Sequence, residues 1–149
     1  MKGNALFVIA AMICITGCAT LSAGFAARDV EKAVGLINSQ NASELGRHSS
    51  TPFLFEGEML LRSTDVAAVW INLSENGFEL KNPVIAETSL ADETTYRVFS
   101  ESEEMEIFFS KYIPEDSILG RIDTDDGTFH ILLGRGVDGY PAILGITGF

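Results

Sequence analysis

Two apolar rhythms divide this chain. From Leu6 to Ile15 ten residues run without a charge and almost without polarity; beyond Ala27 the apolar residues recur with helical or strand spacing. The first run follows a start, Met1-Lys2-Gly3-Asn4, with one positive charge, and it ends in the small residues Thr16 and Gly17. Ten helical residues rise roughly 15 Å, about half of a ~30 Å bilayer core. The run is too short for a stable span, and its layout is that of a secretory signal peptide.

The second rhythm starts with a helix over residues 28–39. Val30, Ala33, Val34 and Ile37 form its apolar stripe, with Arg28, Asp29, Glu31 and Lys32 outside it. Asn38 to Asn41 break that helix. Asn41 then caps a short second helix ending near His48, with Glu44 three residues on as in a capping box. Thr51 to Glu58 reads as a strand, with Phe53 and Phe55 on one face and Leu54, Glu56 and Glu58 on the other. A third helix is expected over 64–76, striped by Val66, Val69, Trp70 and Leu73, capped by Ser63 or Thr64 and ended by Gly77.

Pro83 to Leu90 has strand character, as does the short run Tyr96 to Phe99. A fourth helix follows over about 100–112, where Met105, Phe108, Phe109 and Tyr112 fall at i, i+3, i+4 and i+7. Glu101, Glu103, Glu104 and Glu106 crowd its first turns, where the helix dipole favours negative charge. Pro114 stops it. Ile118–Asp123 and Thr128–Leu133 flank the turn signal TDDG. GRGVDG gives a looser turn into Tyr140–Thr147, so three consecutive antiparallel strands close the chain. Helices interspersed with strands and followed by an antiparallel run read as an α+β domain.

Cysteine placement sharpens the reading of the start. Ile15-Thr16-Gly17-Cys18 is an aliphatic residue, two small residues and a cysteine. It resembles the lipobox of bacterial lipoproteins. The resemblance implies that Cys18 receives a diacylglycerol, that residues 1–17 are removed, and that the new amine is acylated too. A single acyl chain holds a protein weakly, whereas two or three anchor it stably. Cys14 would leave with the signal, so the mature chain has one cysteine and no internal disulfide. Ala19 is not the aspartate that resembles an inner-membrane retention signal, which favours the outer membrane in a diderm host. Residues 18–27 make a lipidated cysteine and short tether, and 28–149 a single domain.

The whole chain carries a formal charge of −11; Lys2 leaves with the signal, so the mature protein carries −12. Nucleic-acid binding needs basic surface, and so does electrostatic adhesion to anionic lipid. Both are argued against, and the anchor must supply the membrane contact.

Helix pair, aromatic strand, tryptophan-bearing helix and meander, carried by residues 38–70 and 117–147, resemble the nuclear-transport-factor-2-like superfamily. That likeness implies N-terminal helices packed on a curved, mostly antiparallel, cone-like sheet; the helix at 100–112 is additional to the simplest plan. Members include isomerases, dehydratases, cyclases, carriers and dimerisation modules, so the fold does not give the function. It implies a cone cavity for a small apolar ligand, or a homodimer through the sheet.

In its isomerase-like members a carboxylate base near the first strand works beside an oxyanion hole of Tyr and a protonated acid. Glu56 matches the base by position. Phe53, Phe55, Trp70 and Phe129 are candidates to line the pocket that would raise its pKa. The first helix offers no tyrosine; Tyr96, Tyr112 and Tyr140 all come late. His130, between Phe129 and Ile131 and sharing a face with Leu132, is a candidate second base if it points into the cone. His48 reads as a helix-end cap or a solvent contact.

Nothing calls for a cofactor or a metal. Asp123 to Gly127 fails the calcium-loop pattern, because Gly127, Thr128 and Gly134 occupy its fifth, sixth and twelfth positions. Gly134 to Gly139 spells a dinucleotide fingerprint but joins two strands and opens no helix. The sequence thus favours a lipid-anchored, extracytoplasmic binding or interaction domain. An acid–base enzyme using Glu56 and His130, and a structural envelope lipoprotein, are the alternatives.

Overall fold

A computed structural model describes residues 24–149; the signal, Cys18 and the start of the tether lie outside the described residues. Helix α1 covers 24–38. Then follow α2 (Ala42–His48), β1 (Ser49–Phe55), β2 (Glu58–Leu60), α3 (Ser63–Glu75), β3 (Val84–Leu90), a 3-10 turn (Thr95–Val98), α4 (Glu103–Tyr112), β4 (Ile118–Thr124), β5 (Gly127–Gly134) and β6 (Ala142–Thr147). The six strands form one sheet in the order β2-β1-β6-β5-β4-β3. Only β1 and β6 pair in parallel. This is the expected α+β architecture of helices on a mostly antiparallel sheet.

Each face of the sheet buries its own core. On the first face, Val30, Ala33, Val34 and Ile37 of α1, Leu45 of α2 and Val66 and Trp70 of α3 pack on Phe53, Ile122, Phe129, Ile131, Leu133, Ile143 and Ile146. On the second, Met105, Phe108 and Phe109 of α4, with Tyr96 and Phe99, pack on Leu54, Leu132 and Leu144. Strand alternation feeds both cores: Ile131 and Leu132 are neighbours in β5 and fully buried on opposite faces. The extra helix covers the second face because its stripe needs an apolar seat. Tyr112, the last of that stripe, overhangs and is exposed.

Contacts along α1 orient the layers. Its C-terminal Asn38 clamps the backbone of Leu80, donating from Nδ2 to the carbonyl (3.0 Å) and accepting the amide at Oδ1 (2.8 Å). Lys81 in turn receives the amide of Asp125, in the β4–β5 turn. Further back, a side chain at Gly120 would put its Cβ 2.6 Å from Val30 Cγ2, so the glycine lets α1 settle on β4. Lys32 Nζ donates to Gly139 O in the β5–β6 loop (2.7 Å). Helix α1 therefore runs along the sheet from the end carrying the β5–β6 loop, the lower end, toward the end carrying the β4–β5 turn, the upper end.

Four local expectations are corrected. The expected strand 51–58 is a hairpin: β1 stops at Phe55, and Glu56 and Gly57, with φ of +49° and +80°, turn the chain into β2. Two successive positive φ values are the two-residue hairpin geometry whose twist matches the strands. Tyr96–Phe99 is not a strand. Asp92 accepts the amide and hydroxyl of Thr94 (2.8 Å each) and the hydroxyl of Thr95, winding the segment into a 3-10 turn. Helix α3 is capped by neither Ser63 nor Thr64; Arg62 holds the N-cap and grips Asp65 with Nε and Nη2 (2.8 and 2.9 Å). His48 is neither a cap nor solvent-facing: it is 4% exposed, with its ring against Tyr140. Asn41 does cap α2, accepting the Glu44 amide (3.2 Å), and Ser102 caps α4. Gly77 follows α3 at a φ of +69°.

Candidate functional site

Glu56 sits where β1 ends, and the hairpin turn lifts it out of the strand. Its Oε1 accepts the amides of Gly148 (2.6 Å) and Phe149 (3.0 Å). The carboxylate is exposed and ties down the C-terminus. Phe149, held there, packs on Phe55 (5.1 Å), Phe78 (4.7 Å) and Phe129 (5.4 Å) between ring centroids. Glu56 is thus the catch of an aromatic lid over the upper end of the first core.

His130 lies on the other face of the sheet. It stands in register between Arg121 and Thr147, with Glu87 next beyond Arg121. Its flanking Phe129 and Ile131 supply the first core, so alternation turns the imidazole away from α1, α2 and α3. Partial burial lowers its pKa below the ordinary histidine value, and the Arg121 charge lowers it further, against Asp123 and Glu87. No hydrogen bond joins Glu56 to His130 among the described residues. The two candidate acid–base groups flank β6 at the upper end without forming a unit.

The aromatic candidates are brought together as packing. Phe53 and Trp70 are fully buried and meet edge-on at 5.9 Å. Trp70 Nε1 donates to Ser49 Oγ (2.8 Å), which donates to Leu45 O (2.7 Å), so the indole is satisfied inside the core. Phe129 is 5% exposed and edge-on to Phe78 at 5.8 Å, and Phe55 is half-buried beneath Phe149. These four rings pack into one core cluster rather than lining any of the clefts described below.

Among the described residues, the clefts on the outside of the fold include three of note. One, of about 550 Å³, runs between α2 and α3, lined by small residues such as Ala42, Gly46 and Ala67. Two flank the C-terminal end of α4. The first, of about 490 Å³, lies between Pro52, Tyr112, Arg135 and Leu144. The second, of about 370 Å³, lies between Asp92, Glu106, Phe109 and Pro114. None of the three is lined by Glu56, His130, Phe53, Phe55, Trp70 or Phe129.

Sequence reasoning missed a cluster at the lower end. Arg47 donates to the carboxylate of Asp138, Lys32 holds Gly139 O, and His48 lies against Tyr140 with ring centroids 4.9 Å apart. His48 Nε2 is 3.6 Å from Glu44 Oε2, and its buried Nδ1 has no partner. Together α1 and α2 pin the loop 135–141. Basic residues on two helix faces and an acidic-aromatic loop ninety residues later carry no shared sequence signal.

Among the described residues, no group of three or more His, Cys, Asp or Glu side chains is placed to hold a metal, and no helix is long and apolar enough to cross a membrane. No family model matches the chain, and neither a curated protein nor a solved structure matches it.

Proposed function

We propose that the mature protein is an envelope lipoprotein, held to the membrane by acyl chains on Cys18, whose α+β domain is a binding or interaction module. The observation that carries the anchorage is Ile15-Thr16-Gly17-Cys18 directly after a ten-residue apolar run and a basic start. The module is extracytoplasmic, and Ala19 favours the outer membrane where there are two. Its resemblance to the nuclear-transport-factor-2-like superfamily is part of the proposal, supported by helices that precede and pack on a mostly antiparallel sheet.

Binding is favoured over acid–base catalysis by what the candidate groups already do. Glu56 is engaged by two backbone amides, and His130 faces away from the aromatic layer. A base must reach a substrate proton within a hydrogen bond or one water, and neither residue lines any of the three clefts described above. A small apolar ligand would instead use the cleft at the end of α4, where Tyr112 and Leu144 supply apolar wall.

The test is metabolic labelling of the full chain with an alkyne analogue of palmitate in a bacterium that processes lipoproteins. Wild type is expected to take the label and lose residues 1–17, whereas Cys18→Ala stays unlabelled and uncleaved. An unlabelled wild type, or a labelled C18A protein, would overturn the anchorage. Native mass spectrometry of the soluble domain tests the binding half: an added mass released on activation marks a bound ligand.

A further inference from the structure

We propose that the lower end of the domain, with the pinned β5–β6 loop at its tip, rests on the lipid bilayer as a second, apolar contact beside the acyl anchor. The inference rests on the anchorage proposed above and adds which surface faces the membrane.

Chain length starts the argument. Five residues separate Cys18 from Gly24, the first residue of α1 in the described chain. Even fully extended, that stretch reaches no more than about 22 Å. The N-terminus of α1 is at the lower end, because its middle is tied to Gly139 and its C-terminus to Leu80. An anchor on Cys18 therefore brings the lower end to the lipid headgroups before any other part of the fold.

That end is built to meet them. Ten large apolar side chains are exposed among the described residues; five, Phe25, Leu90, Tyr112, Val137 and Tyr140, lie at this end. Val137 is 61% exposed and Leu90 67%. Phe25 opens α1, Leu90 closes β3, Tyr112 closes α4, and Val137 and Tyr140 belong to the loop. Tyrosines beside exposed aliphatics suit an interface, where one end of the ring is apolar and the other wet.

The contact is apolar in kind. Lys32 holds Gly139 O and lies 3.9 Å from Asp29, Arg47 pairs with Asp138 and Arg135 with Asp116, so these three cations are already engaged within the fold. With a mature charge of −12, attraction to anionic lipid cannot supply the contact. The three ties from α1 and α2 hold Val137 in place, so little ordering is lost when it enters lipid.

The mature chain offers a clean test, because its single cysteine is consumed by the anchor. The full-length lipoprotein, purified from membranes, is reconstituted in phosphatidylcholine vesicles with one added cysteine carrying a nitroxide. Val137→Cys and Leu90→Cys probe the lower end; Glu79→Cys, exposed near the upper end, is the control. Flotation with the vesicles is scored first. Labels at 137 and 90 are expected to collide several-fold more with oxygen relative to a water-soluble nickel chelate than the label at 79.

Floating protein with all three labels equally accessible to the chelate would overturn this orientation and leave the anchorage standing. Spin–spin broadening at 137 without lipid exposure would mean that a second copy covers this end, and would overturn it too. Protein that does not float would remove the anchorage, and this inference with it.

Discussion

Replacing Glu56 separates a catch from a catalyst. The carboxylate accepts two amide hydrogen bonds at 2.6 and 3.0 Å and is itself exposed. Each such bond contributes about 0.5–1.5 kcal/mol net, and exposure puts the pair toward the low end, so Glu56→Ala is expected to lose about 1–2 kcal/mol. For a domain of this size that is a fall of about 4–8 °C in Tm. Glu56→Gln keeps an acceptor oxygen and loses the charge, so it falls in between. Glu56→Gly loses both bonds but relieves the left-handed backbone at φ +49°, which costs an L-residue about 1–2 kcal/mol. Ala is therefore expected to be the least stable of the three variants, with Gln and Gly both between it and wild type. Hydrogen exchange at the Gly148 and Phe149 amides should accelerate in E56A, as should exposure of Phe149 and the rings beneath it. An E56A protein with unchanged melting and unchanged exchange at both amides would refute the reasoning and free Glu56 for another role.

Other outcomes follow from the packing and the sheet. Gly120→Ala would place a methyl 2.6 Å from Val30 Cγ2 and 3.2 Å from Ile131 Cγ2, and such overpacking costs about 1–3 kcal/mol. Val30→Ala in the same chain should recover part of it, so denaturant melts of the two single variants and the double must be non-additive; additive losses would refute the close seat of α1. His130 is held below its ordinary pKa, so the folded protein takes up that proton less readily than the unfolded chain. The stability it contributes is whole above about pH 6.5 and is lost as pH falls toward the folded value. Subtracting the His130→Gln melting profile from that of wild type should isolate this acid-side loss; a difference curve rising toward low pH would refute the sign.

Much of the local structure was legible because its causes are local. The stripe of Met105, Phe108 and Phe109 repeats at helical spacing, and all three are buried. Asn41 caps α2 with an oxygen three residues from its target amide, and TDDG turns β4 into β5 where the pattern placed a hairpin. Two of the failures were also local, but undecided by pattern. Phe53 to Glu58 alternates as well in a hairpin as in one strand, and only the two positive φ values at Glu56 and Gly57 choose between them. Tyr96 to Phe99 has strand-like residues, yet three hydrogen bonds to Asp92 pull it into a turn.

The candidate site divides along the same line. Phe53, Trp70 and Phe129 could be grouped from sequence because large apolar residues on one strand face and one helix stripe must share a core. Its upper end is covered by Phe149, which packs on Phe55, Phe78 and Phe129 while its amide is held by Glu56 more than ninety residues away in the chain. The sequence by itself determined the helical periodicities, the Asn41 cap and the acidic charge. Tertiary structure alone decided the parallel pairing of β1 with β6, the face that His130 takes, and the ties from Lys32, Arg47 and His48 to the loop 135–141. The reason is physical: alternation and helical spacing are set within a few residues, whereas pairing partners are set by which distant surfaces bury the most apolar area together.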